Sequence, residues 1–438
     1  MVEATFEMLL KLTHIRVLRV EQTKTNAYCV TLESTLQHTT CHKCKRRIDT
    51  FYRLDDWIML QHLPICGSKV FIRLQPKRFR CPFCSDGPTT TQELPWYRPR
   101  SSFTKAYEEH RLIQCVNSTI EDVSTKEQVG YDAIEGLIDR SIATNVDWST
   151  YERLDRVGID EIALKKGHRA YVVIVTTRLD DGTIHVLAVL PNRRKETVLA
   201  FFKQIPYRLR RTVTDVCCDM CEAYLSAIEL VFGFDTIVID RFHVARHYYD
   251  AADGLRQEEL ARLKQTRTAR EYDLLKGVMW YFRKRPQDLA PEERDVLECF
   301  FSAAPRARQA YELRESLTNI FETARTKEEA LDRFGQWLVA VDDSGLSCFN
   351  AFINLLIENL NGIANYFRDG SSSGFVEGLN TKIKALKRRC YGIFNTRHLF
   401  QRMTLDLGGY TMFGRNSRRD LYGLKVSKSA LVSYSHHI

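Results

Sequence analysis

The chain has 438 residues, of which 44% are hydrophobic and 11% aromatic, enough to build about two or three hydrophobic cores. Lys and Arg number 64 against 55 Asp and Glu, and this net charge of +9 is consistent with a polyanionic partner, although the balance alone does not establish one. No stretch approaches the roughly eighteen apolar residues of a membrane span, and residues 1–19 lack the order of a secretory signal, so we expect a cytoplasmic protein without a membrane partner.

Residues 1–100 are predicted to form a small β-rich module. Runs typical of short strands, such as 27–32 and 69–74, alternate there with polar turns.

Two Cys-x-x-Cys pairs in this module can together offer four thiolates to one tetrahedral zinc ion. The pairs are Cys41 with Cys44 and Cys81 with Cys84. Residues 45–80 separate the pairs, so we expect a β-hairpin to bring them together. Four protein ligands leave no open position on the metal, which predicts a structural zinc rather than a catalytic one. His38, His42 and Cys66 are reserve ligands, and the alternative is four cysteines without metal in a reducing cytosol.

Residues 101–150 are predicted to be helical, and the helices are placed at 103–115, 119–128 and 131–141. The Val129-Gly130 break before the third helix resembles the turn of a helix-turn-helix, whose last helix would enter a DNA major groove. That helix carries three acidic residues and only Arg140 as a basic one, so phosphate repulsion leaves a plain helical bundle as the alternative. Further candidates for phosphate contacts precede the second cysteine pair, namely Lys77, Arg78 and Arg80.

From residue 151 onwards, strands and helices follow the order of an RNase H-like core. Three strands that would pair antiparallel come first, and Asp180-Asp181-Gly182 is the tight turn between the second and the third. Alternating helices and strands follow, which favours a mixed sheet covered by helices. The predicted strands are 156–162, 170–177, 183–189, 213–218 and 236–239, and the predicted helices are 195–204 and 221–231.

The segment 241–365 is predicted to be an inserted helical subdomain, because it is charged and almost free of strand patterning. Its strongest breakers are prolines, at positions 286, 291 and 305. Trp280 and Trp337 are expected to lie in its core rather than to stack on bases.

Residues 366–438 are predicted to complete the catalytic fold, beginning with a helix at 375–389. The predicted fold class is therefore α/β: a zinc-binding β module and a helix-turn-helix-like segment precede an RNase H-like mixed-sheet core with a helical insertion. The predicted domains are 1–100, 101–150, 151–240, 241–365 and 366–438.

Three carboxylates stand where this fold would bring them together. Asp160 lies in the first core strand, Asp219 directly follows the fourth, and Glu377 lies on the last predicted helix. The first and fourth strands are neighbours in an RNase H-like sheet, and a later helix can place its glutamate beside them. Oxygen ligands of this type suit Mg²⁺ or Mn²⁺. Two such ions, about 4 Å apart, would activate the attacking oxygen and stabilise the leaving one in phosphodiester transfer.

Four motifs surround these carboxylates: Gly158-Ile159-Asp160-Glu161, Asp219-Met220 with Tyr224, Asp240-Arg241-Phe242-His243, and Gly374-Phe375-Val376-Glu377-Gly378-Leu379-Asn380. Together with the cysteine pairs and a basic stretch ending in Tyr391-Gly392, they resemble the ISL-three family of bacterial insertion-sequence transposases across nearly the whole chain. The resemblance implies an RNase H-like fold with a DDE triad that falls on Asp160, Asp219 and Glu377. It also implies a dimer or larger assembly on DNA.

Asp240 and His243 follow a core strand, where their side chains would reach the metal site. His243 is a candidate for orienting the scissile phosphate or assisting proton transfer. The alternative is a hydrogen-bonded pair that fixes the start of the insertion. Glu161 is expected to point to the opposite face of its strand from Asp160.

On the last predicted helix, Lys384, Lys387 and Arg388 lie three or four residues apart on one face, which suits a DNA backbone, although an ordinary exposed face is the alternative. We therefore expect a DNA transposase that binds double-stranded DNA, both the element's terminal inverted repeats and the target, at the bacterial nucleoid. Its reaction would be strand cleavage by metal-activated water, followed by attack of the freed 3′-hydroxyl on target DNA. A transposase-derived DNA-binding regulator and a metal-dependent nuclease without strand transfer remain as alternatives.

Overall fold

The computed structural model describes residues 2–163, 171–368, 374–390, 392–393 and 395–414, which fall into two compact units. The first unit runs to Ile142 and also contains residues 404–414, and the second runs from Ala143 to Met403. The mixed α/β class predicted from the sequence is confirmed.

The first unit opens with one helix and a series of short strands, which build a four-stranded, a three-stranded and a two-stranded sheet. These elements are α1 (Val2–Leu10), β1 (Ile15–Gln22), β2 (Tyr28–Ser34), β3 (Thr39–Thr40), β4 (Arg47–Ile48), β5 (Phe51–Leu54), β6 (Ile58–Ile65), β7 (Ser68–Leu74), β8 (Lys77–Arg80) and β9 (Thr89–Thr91). The sheet orders are β1-β2-β7-β6, β5-β8-β9 and β3-β4.

Alternating side chains of the four-stranded sheet make the core of this β module. In β7, Val70, Ile72 and Leu74 are fully buried, while Arg73 between them is exposed. This period of two is what a sheet with one covered face requires, because successive side chains point to opposite faces.

Three helices follow in the first unit, namely α2 (Lys105–Cys115), α3 (Ile120–Glu127) and α4 (Tyr131–Ser141). The Thr119 side chain caps α3 by accepting a hydrogen bond from the backbone N–H of Asp122 at 2.9 Å. The helix ends at Gln128, whose left-handed backbone (φ 53°) turns the chain into α4. Val123 and Ile134 are fully buried between the helices, as the amphipathic pattern predicts.

The second unit is built on a five-stranded sheet with the order β12-β11-β10-β13-β14. Its elements up to the last strand are β10 (Arg156–Ala163), β11 (Tyr171–Arg178), β12 (Ile184–Leu190), α5 (Lys195–Gln204), α6 (Tyr207–Arg210), β13 (Asp215–Cys218), α7 (Glu222–Val231) and β14 (Ile237–Ile239). The first three strands pair antiparallel, whereas β13 and β14 run parallel to β10. The first and fourth strands are therefore neighbours, as predicted.

A series of helices follows β14, and prolines open several of them. The helices are α8 (Arg241–Thr266), α9 (Ala269–Asp273), α10 (Val278–Arg283), α11 (Pro291–Ala303), α12 (Pro305–Thr323), α13 (Lys327–Ser344), α14 (Asn350–Glu358), α15 (Leu360–Ala364), α16 (Gly374–Arg389) and α17 (Thr396–Phe413). Pro291 and Pro305 each stand at the first helical position, where the missing N–H of proline costs nothing.

The two tryptophans of the insertion differ in burial. Trp337 is 3% exposed and lies in the core, as expected. Trp280 is 63% exposed, so the expectation of a core position is wrong for this residue. The reason is the short helix α10, which buries Val278 and Phe282 and thereby turns the residue midway between them to the opposite side.

Candidate active site

The sheet of the second unit brings Asp160 and Asp219 to the same level. In the parallel pair of β10 and β13, Gly158 lies opposite Cys217. Asp160 and Asp219 each stand two residues further on, so the register places Asp160, within β10, level with Asp219, directly after the end of β13.

Asp240 continues this row on the next strand. Cys218 lies opposite Ile239 in the parallel pair of β13 and β14, so the residues that follow them, Asp219 and Asp240, are also aligned. The backbone N–H of Asp240 donates to the carbonyl of Cys218 at 3.0 Å, which keeps the two strands paired up to this level. Three aspartates on three adjacent strands thus share one edge of the sheet.

Helix starts anchor two of these carboxylates. Asp219 accepts a hydrogen bond from the backbone N–H of Cys221 at 3.0 Å, just before α7. Asp240 caps α8 by accepting from the backbone N–H of Phe242 at 2.9 Å. Both side chains are held where backbone N–H groups and the helix dipole stabilise negative charge.

Asp160 and Asp219 lie in similar electrostatic surroundings. Burial raises the pKa of both carboxyl groups above the usual value for aspartate. On each of the two carboxyl groups, a backbone hydrogen bond and the neighbouring His243 lower the pKa and so oppose burial. The negative charges of Asp219 and Asp240 raise the pKa of Asp160 further. His243, on the first turn of α8, therefore lies within electrostatic reach of both aspartates.

Glu161 is directed away from Asp160 into a different set of contacts. It accepts a hydrogen bond from the Tyr224 hydroxyl of α7 at 2.8 Å and pairs with Arg193 at 3.4 Å. Alternation along β10 explains this, because Glu161 shares its face of the strand with the buried Val157 and Ile159.

Glu377 lies on α16, as predicted, but its side chain is outside the described residues. The helix itself is next to β10, since the Lys387 ammonium group donates a hydrogen bond to the carbonyl of Ala163 at the end of that strand. The oxygen ligands of Asp160 and Asp219 are of the type that Mg²⁺ and Mn²⁺ prefer, so the residues fit a divalent cation chemically.

The four cysteines of the two Cys-x-x-Cys pairs converge in the first unit. The sulfur atoms of Cys41, Cys44, Cys81 and Cys84 all lie within 4.8 Å of one another. Within the described ranges, no other group of three or more His, Cys, Asp or Glu side chains converges in this way.

The geometry of this cluster fits zinc. The sulfur of Cys81 is 3.7 Å from those of Cys44 and Cys84, and Zn–S bonds of about 2.3 Å at tetrahedral angles require about 3.8 Å. Backbone hydrogen bonds, chiefly from Cys44, lower the pKa of Cys41 to about 6, whereas burial and the neighbouring thiols raise the pKa of Cys84. The buried side chains of Ile48 and Phe79 pack beside the cluster.

The reserve ligands are engaged elsewhere. The His42 ring nitrogen Nδ1 is 3.0 Å from the Thr90 hydroxyl, and His38 is bonded to Arg47 at 3.2 Å. Cys66 is exposed in a turn and is not part of the cluster.

Comparison with known proteins places the chain among transposases. The model of the ISL3 transposase family, described as "Transposase", matches residues 157–403, more than half of the chain. Residues 92–142 match the "helix-turn-helix domain of transposase family ISL3". A transposase for insertion sequence element IS1001 from Bordetella parapertussis is 26% identical over 86% of this chain and 91% of its own length. A transposase for IS1557 from Mycobacterium tuberculosis is 25% identical over 86% of this chain and 88% of its own length.

The chain belongs to the ISL3 (ISL-three) family of transposases. This confirms the resemblance in the sequence, and the protein is a DDE transposase, a DNA-processing enzyme of a family that uses divalent metal ions. The match over residues 92–142 identifies this segment as a helix-turn-helix domain rather than a plain helical bundle. Among the helices that the structure describes, none is long and apolar enough to cross a membrane.

The basic residues of this transposase that the sequence predicts to contact DNA differ in their surroundings. In the first unit, Arg80 is exposed, whereas Arg78 pairs with Asp55 at 3.4 Å. The Lys77 ammonium group is 3.4 Å from a backbone carbonyl, and Arg140 pairs with the buried Glu108 at 3.0 Å.

On α16, Lys384 and Arg388 are exposed one turn apart, so they share a face of the helix. Lys387 is half-buried against β10, and this burial lowers the pKa of its ammonium group.

An arginine–glutamate network at the start of α8 is a feature of the transposase that sequence reasoning missed. Arg241, directly after Asp240, bonds to Glu322 of α12 at 3.3 Å. Arg285 bonds to the same glutamate at 2.5 Å and to Glu315 at 3.4 Å. The network ties the turn that carries Asp240 and His243 to the helical insertion. The partners are too distant in sequence for any local pattern to reveal them.

Proposed function

We propose that Asp160, Asp219 and Glu377 form the catalytic triad of this transposase and bind two Mg²⁺ or Mn²⁺ ions. The observation that carries the proposal is the register of the core sheet, which aligns Asp160 with Asp219. Their raised pKa values support it, because buried carboxyl groups that resist ionisation are typical of functional sites. The position of Glu377 on a helix next to β10 is also consistent with it.

The bound ions would supply Lewis acidity to the attacking and leaving oxygens of the phosphodiester. The chain's own contribution is placement, since Asp160 lies within β10 and Asp219 directly follows β13. His243 lies within reach of both and is proposed to orient the scissile phosphate or to take up a proton from the attacking water. Asp240 is proposed to support the site by anchoring the α8 turn on which His243 stands.

The proposed reaction has two steps. Water first attacks the phosphorus at the element end, and the bond between phosphorus and the 3′ oxygen breaks to leave a free 3′-hydroxyl. That 3′ oxygen then attacks a phosphorus of the target, and the target's own 3′ oxygen leaves. One phosphodiester forms for each one broken in the second step, so no energy source and no covalent protein–DNA link are needed.

The cysteine cluster is proposed to hold one structural Zn²⁺ through all four thiolates. It would join β3, β4 and β8, which are too short to form a stable core alone.

The proposed substrate is double-stranded DNA: the terminal inverted repeats of the element and the target. Phosphate contacts are assigned to basic residues in both units, namely Lys77, Arg78, Arg80, Arg140, Lys384, Lys387 and Arg388. Because two element ends must be joined, we infer a homodimer or larger assembly on DNA, acting at the nucleoid in the cytoplasm. The domain bounds predicted from the sequence are proposed as the functional parts of the chain.

Strand cleavage and joining on DNA with the element's own ends, with Mg²⁺ or Mn²⁺, tests this proposal. Asp160→Ala, Asp219→Ala and Glu377→Ala are each expected to abolish both steps and to leave DNA binding unchanged. Nicked DNA without joined strands would favour a nuclease. Binding without cleavage by the unaltered protein would favour a regulator.

A further inference from the structure

The outer strand of the β module exposes large apolar side chains to solvent. Phe51, Tyr52 and Leu54 of β5 are 54%, 46% and 48% exposed. Trp57 and Met59, which follow along the same strand direction, are 46% and 55% exposed. Five such side chains within nine residues are unusual, because single exposed apolar residues are ordinary but clusters mark binding surfaces.

These residues form the edge strands of two different sheets, with β5 beside β8 and β6 beside β7. Residues 51–59 run antiparallel to residues 73–80 throughout, and a hydrogen bond from the Asp55 N–H to the Pro76 carbonyl (2.8 Å) bridges the gap between the sheets. The paired positions are Phe51 with Phe79, Leu54 with Lys77, Ile58 with Leu74 and Met59 with Arg73. We call residues 51–59 and 73–80 the aromatic ribbon.

The aromatic ribbon is also basic. It carries five basic side chains against two acidic ones, Asp55 and Asp56. Two of its arginines lie over its rings: the Arg73 guanidinium is 4.4 Å from the centre of the Trp57 ring, and that of Arg80 is 4.7 Å from the centre of the Tyr52 ring. Each pair forms a flat polar and aromatic surface with positive charge beside it.

We propose that the aromatic ribbon binds unpaired bases of DNA by stacking them on the Tyr52–Arg80 and Trp57–Arg73 pairs, whose guanidinium groups also neutralise the adjoining phosphates. The inference rests on the proposed function, in which the enzyme cleaves DNA strands at element ends. Exposed rings beside basic side chains are what proteins use to bind single strands, because every base has a flat face to stack.

Paired duplex DNA fits this surface less well. Bases in a duplex are already stacked, so only their polar edges face the grooves, and four or five large apolar side chains find few partners there. The excess of five basic over two acidic side chains favours a polyanion over a protein partner.

The test uses the full-length, zinc-loaded protein without Mg²⁺, so that no cleavage occurs. Its affinity is measured for an element-end duplex that is blunt and for the same duplex with an unpaired tail of about four to six nucleotides. The protein is expected to bind the tailed DNA at least about tenfold more tightly, since stacking is worth about 1–3 kcal/mol per base. Tyr52→Ala with Trp57→Ala should remove that preference and leave blunt-end binding within about twofold.

Two variants control for folding and for aromatic residues in general. Tyr52→Phe with Trp57→Phe keeps the stacking rings and should keep the preference. Trp280→Ala removes a ring that is 63% exposed in the second unit and should behave as the unaltered protein does. If the double variant Tyr52→Ala, Trp57→Ala loses zinc, the single variant Trp57→Phe provides the test. Tailed DNA should quench less tryptophan fluorescence in this variant than in the unaltered protein, at unchanged affinity.

Equal affinity of the unaltered protein for tailed and blunt DNA would overturn the inference. An unchanged preference for tailed DNA in the double variant Tyr52→Ala, Trp57→Ala would also overturn the inference. If that variant instead changed its oligomeric state, the aromatic ribbon would be a protein interface. The proposed function is tested separately: it fails if Asp160→Ala cleaves DNA as the unaltered protein does. The two failures are distinguishable because the preference for tailed DNA is measured without Mg²⁺ and without cleavage.

Discussion

The core sheet and the helical insertion of the second unit hold their buried carboxylates in opposite ways. In the insertion, Asp253 accepts hydrogen bonds from Arg256 at 2.7 Å and from Arg283 at 2.8 Å. Burial alone would raise the pKa of Asp253, but these arginines outweigh it and hold the pKa well below the usual value. At the sheet edge, burial outweighs the backbone hydrogen bonds and the field of His243, and the pKa values of Asp160 and Asp219 are raised.

Buried carboxyl groups therefore have different roles in the insertion and in the core sheet. Where arginines neutralise a buried carboxylate, its charge stabilises the fold. Where burial dominates, the ionised carboxylate costs stability, and this cost is consistent with a cation that binds there in function. The comparison predicts that removing the charge has opposite consequences in the two regions.

The largest effect is expected outside these two regions, at the cysteine cluster of the β module, where four thiols converge. Cys81→Ser should abolish zinc binding and unfold the β module, because structural zinc contributes on the order of 10 kcal/mol. Zinc content and thermal melting measure this. Cys66→Ser, at an exposed cysteine outside the cluster, should leave both unchanged, and a fully zinc-loaded Cys81→Ser protein would contradict the assignment.

At the sheet edge, Asp160→Asn or Asp219→Asn should reduce strand cleavage by about 10³-fold or more, since each removes the charge of a proposed metal ligand. Stability should not fall. A raised pKa in the folded state means that the protonated carboxyl group favours folding below its unfolded pKa and that this contribution is lost as pH rises. Cleavage and melting temperature at neutral pH are the readouts. Asp180→Asn, at a turn aspartate with 73% side-chain exposure, is the matched control and should change neither.

In the insertion, Asp253→Asn should lower stability by about 3 kcal/mol at neutral pH, because it leaves the buried Arg256 without its charged partner. The lowered pKa makes this contribution present above the unfolded pKa of about 3.9 and lost as pH falls below it. Denaturant unfolding at several pH values should therefore show the two proteins converging in acid. A constant difference down to about pH 3 would refute the role of the charge.

The smallest effect is expected where the two regions meet through ion pairs. Glu322→Gln weakens the bonds to Arg241 and Arg285, and we expect cleavage to fall by about three- to fivefold at unchanged DNA affinity, since partly exposed pairs are worth up to about 1 kcal/mol. Glu298→Gln breaks a comparable pair with Arg308 away from α8 and should have no effect on cleavage. Equal rates for both variants would remove the network from the mechanism.

Much of the core was predictable because its pattern is local. Helices α4 and α5 have the predicted bounds, and no end of β10, β11 or β12 differs from the prediction by more than one residue. Val, Ile and Thr runs bounded by turn residues specify such strands without reference to the rest of the chain. The convergence of the four cysteines was predictable for a related reason, since zinc ligand spacing is itself a local pattern.

The remaining features depend on long-range contacts. The partners Arg241 and Glu322 are 81 positions apart, and no periodicity connects them. Helices α1 and α17 were not predicted, and the exposure of Trp280 depends on which face of a short helix is buried. The convergence of Asp160 and Asp219 was expected from the neighbouring first and fourth strands, but only the pairing register reveals that Asp240 stands level with them.

That register determines where the chain tolerates a change of length. A whole series of helices follows Asp240 without disturbing the row of aspartates, because it begins after the last parallel strand has ended. One extra residue within β13 would instead turn the Asp219 side chain to the opposite face of the sheet. In a lineage of such enzymes, insertions and deletions should therefore accumulate freely beyond the α8 turn, while the few positions of β13 and β14 keep a fixed length.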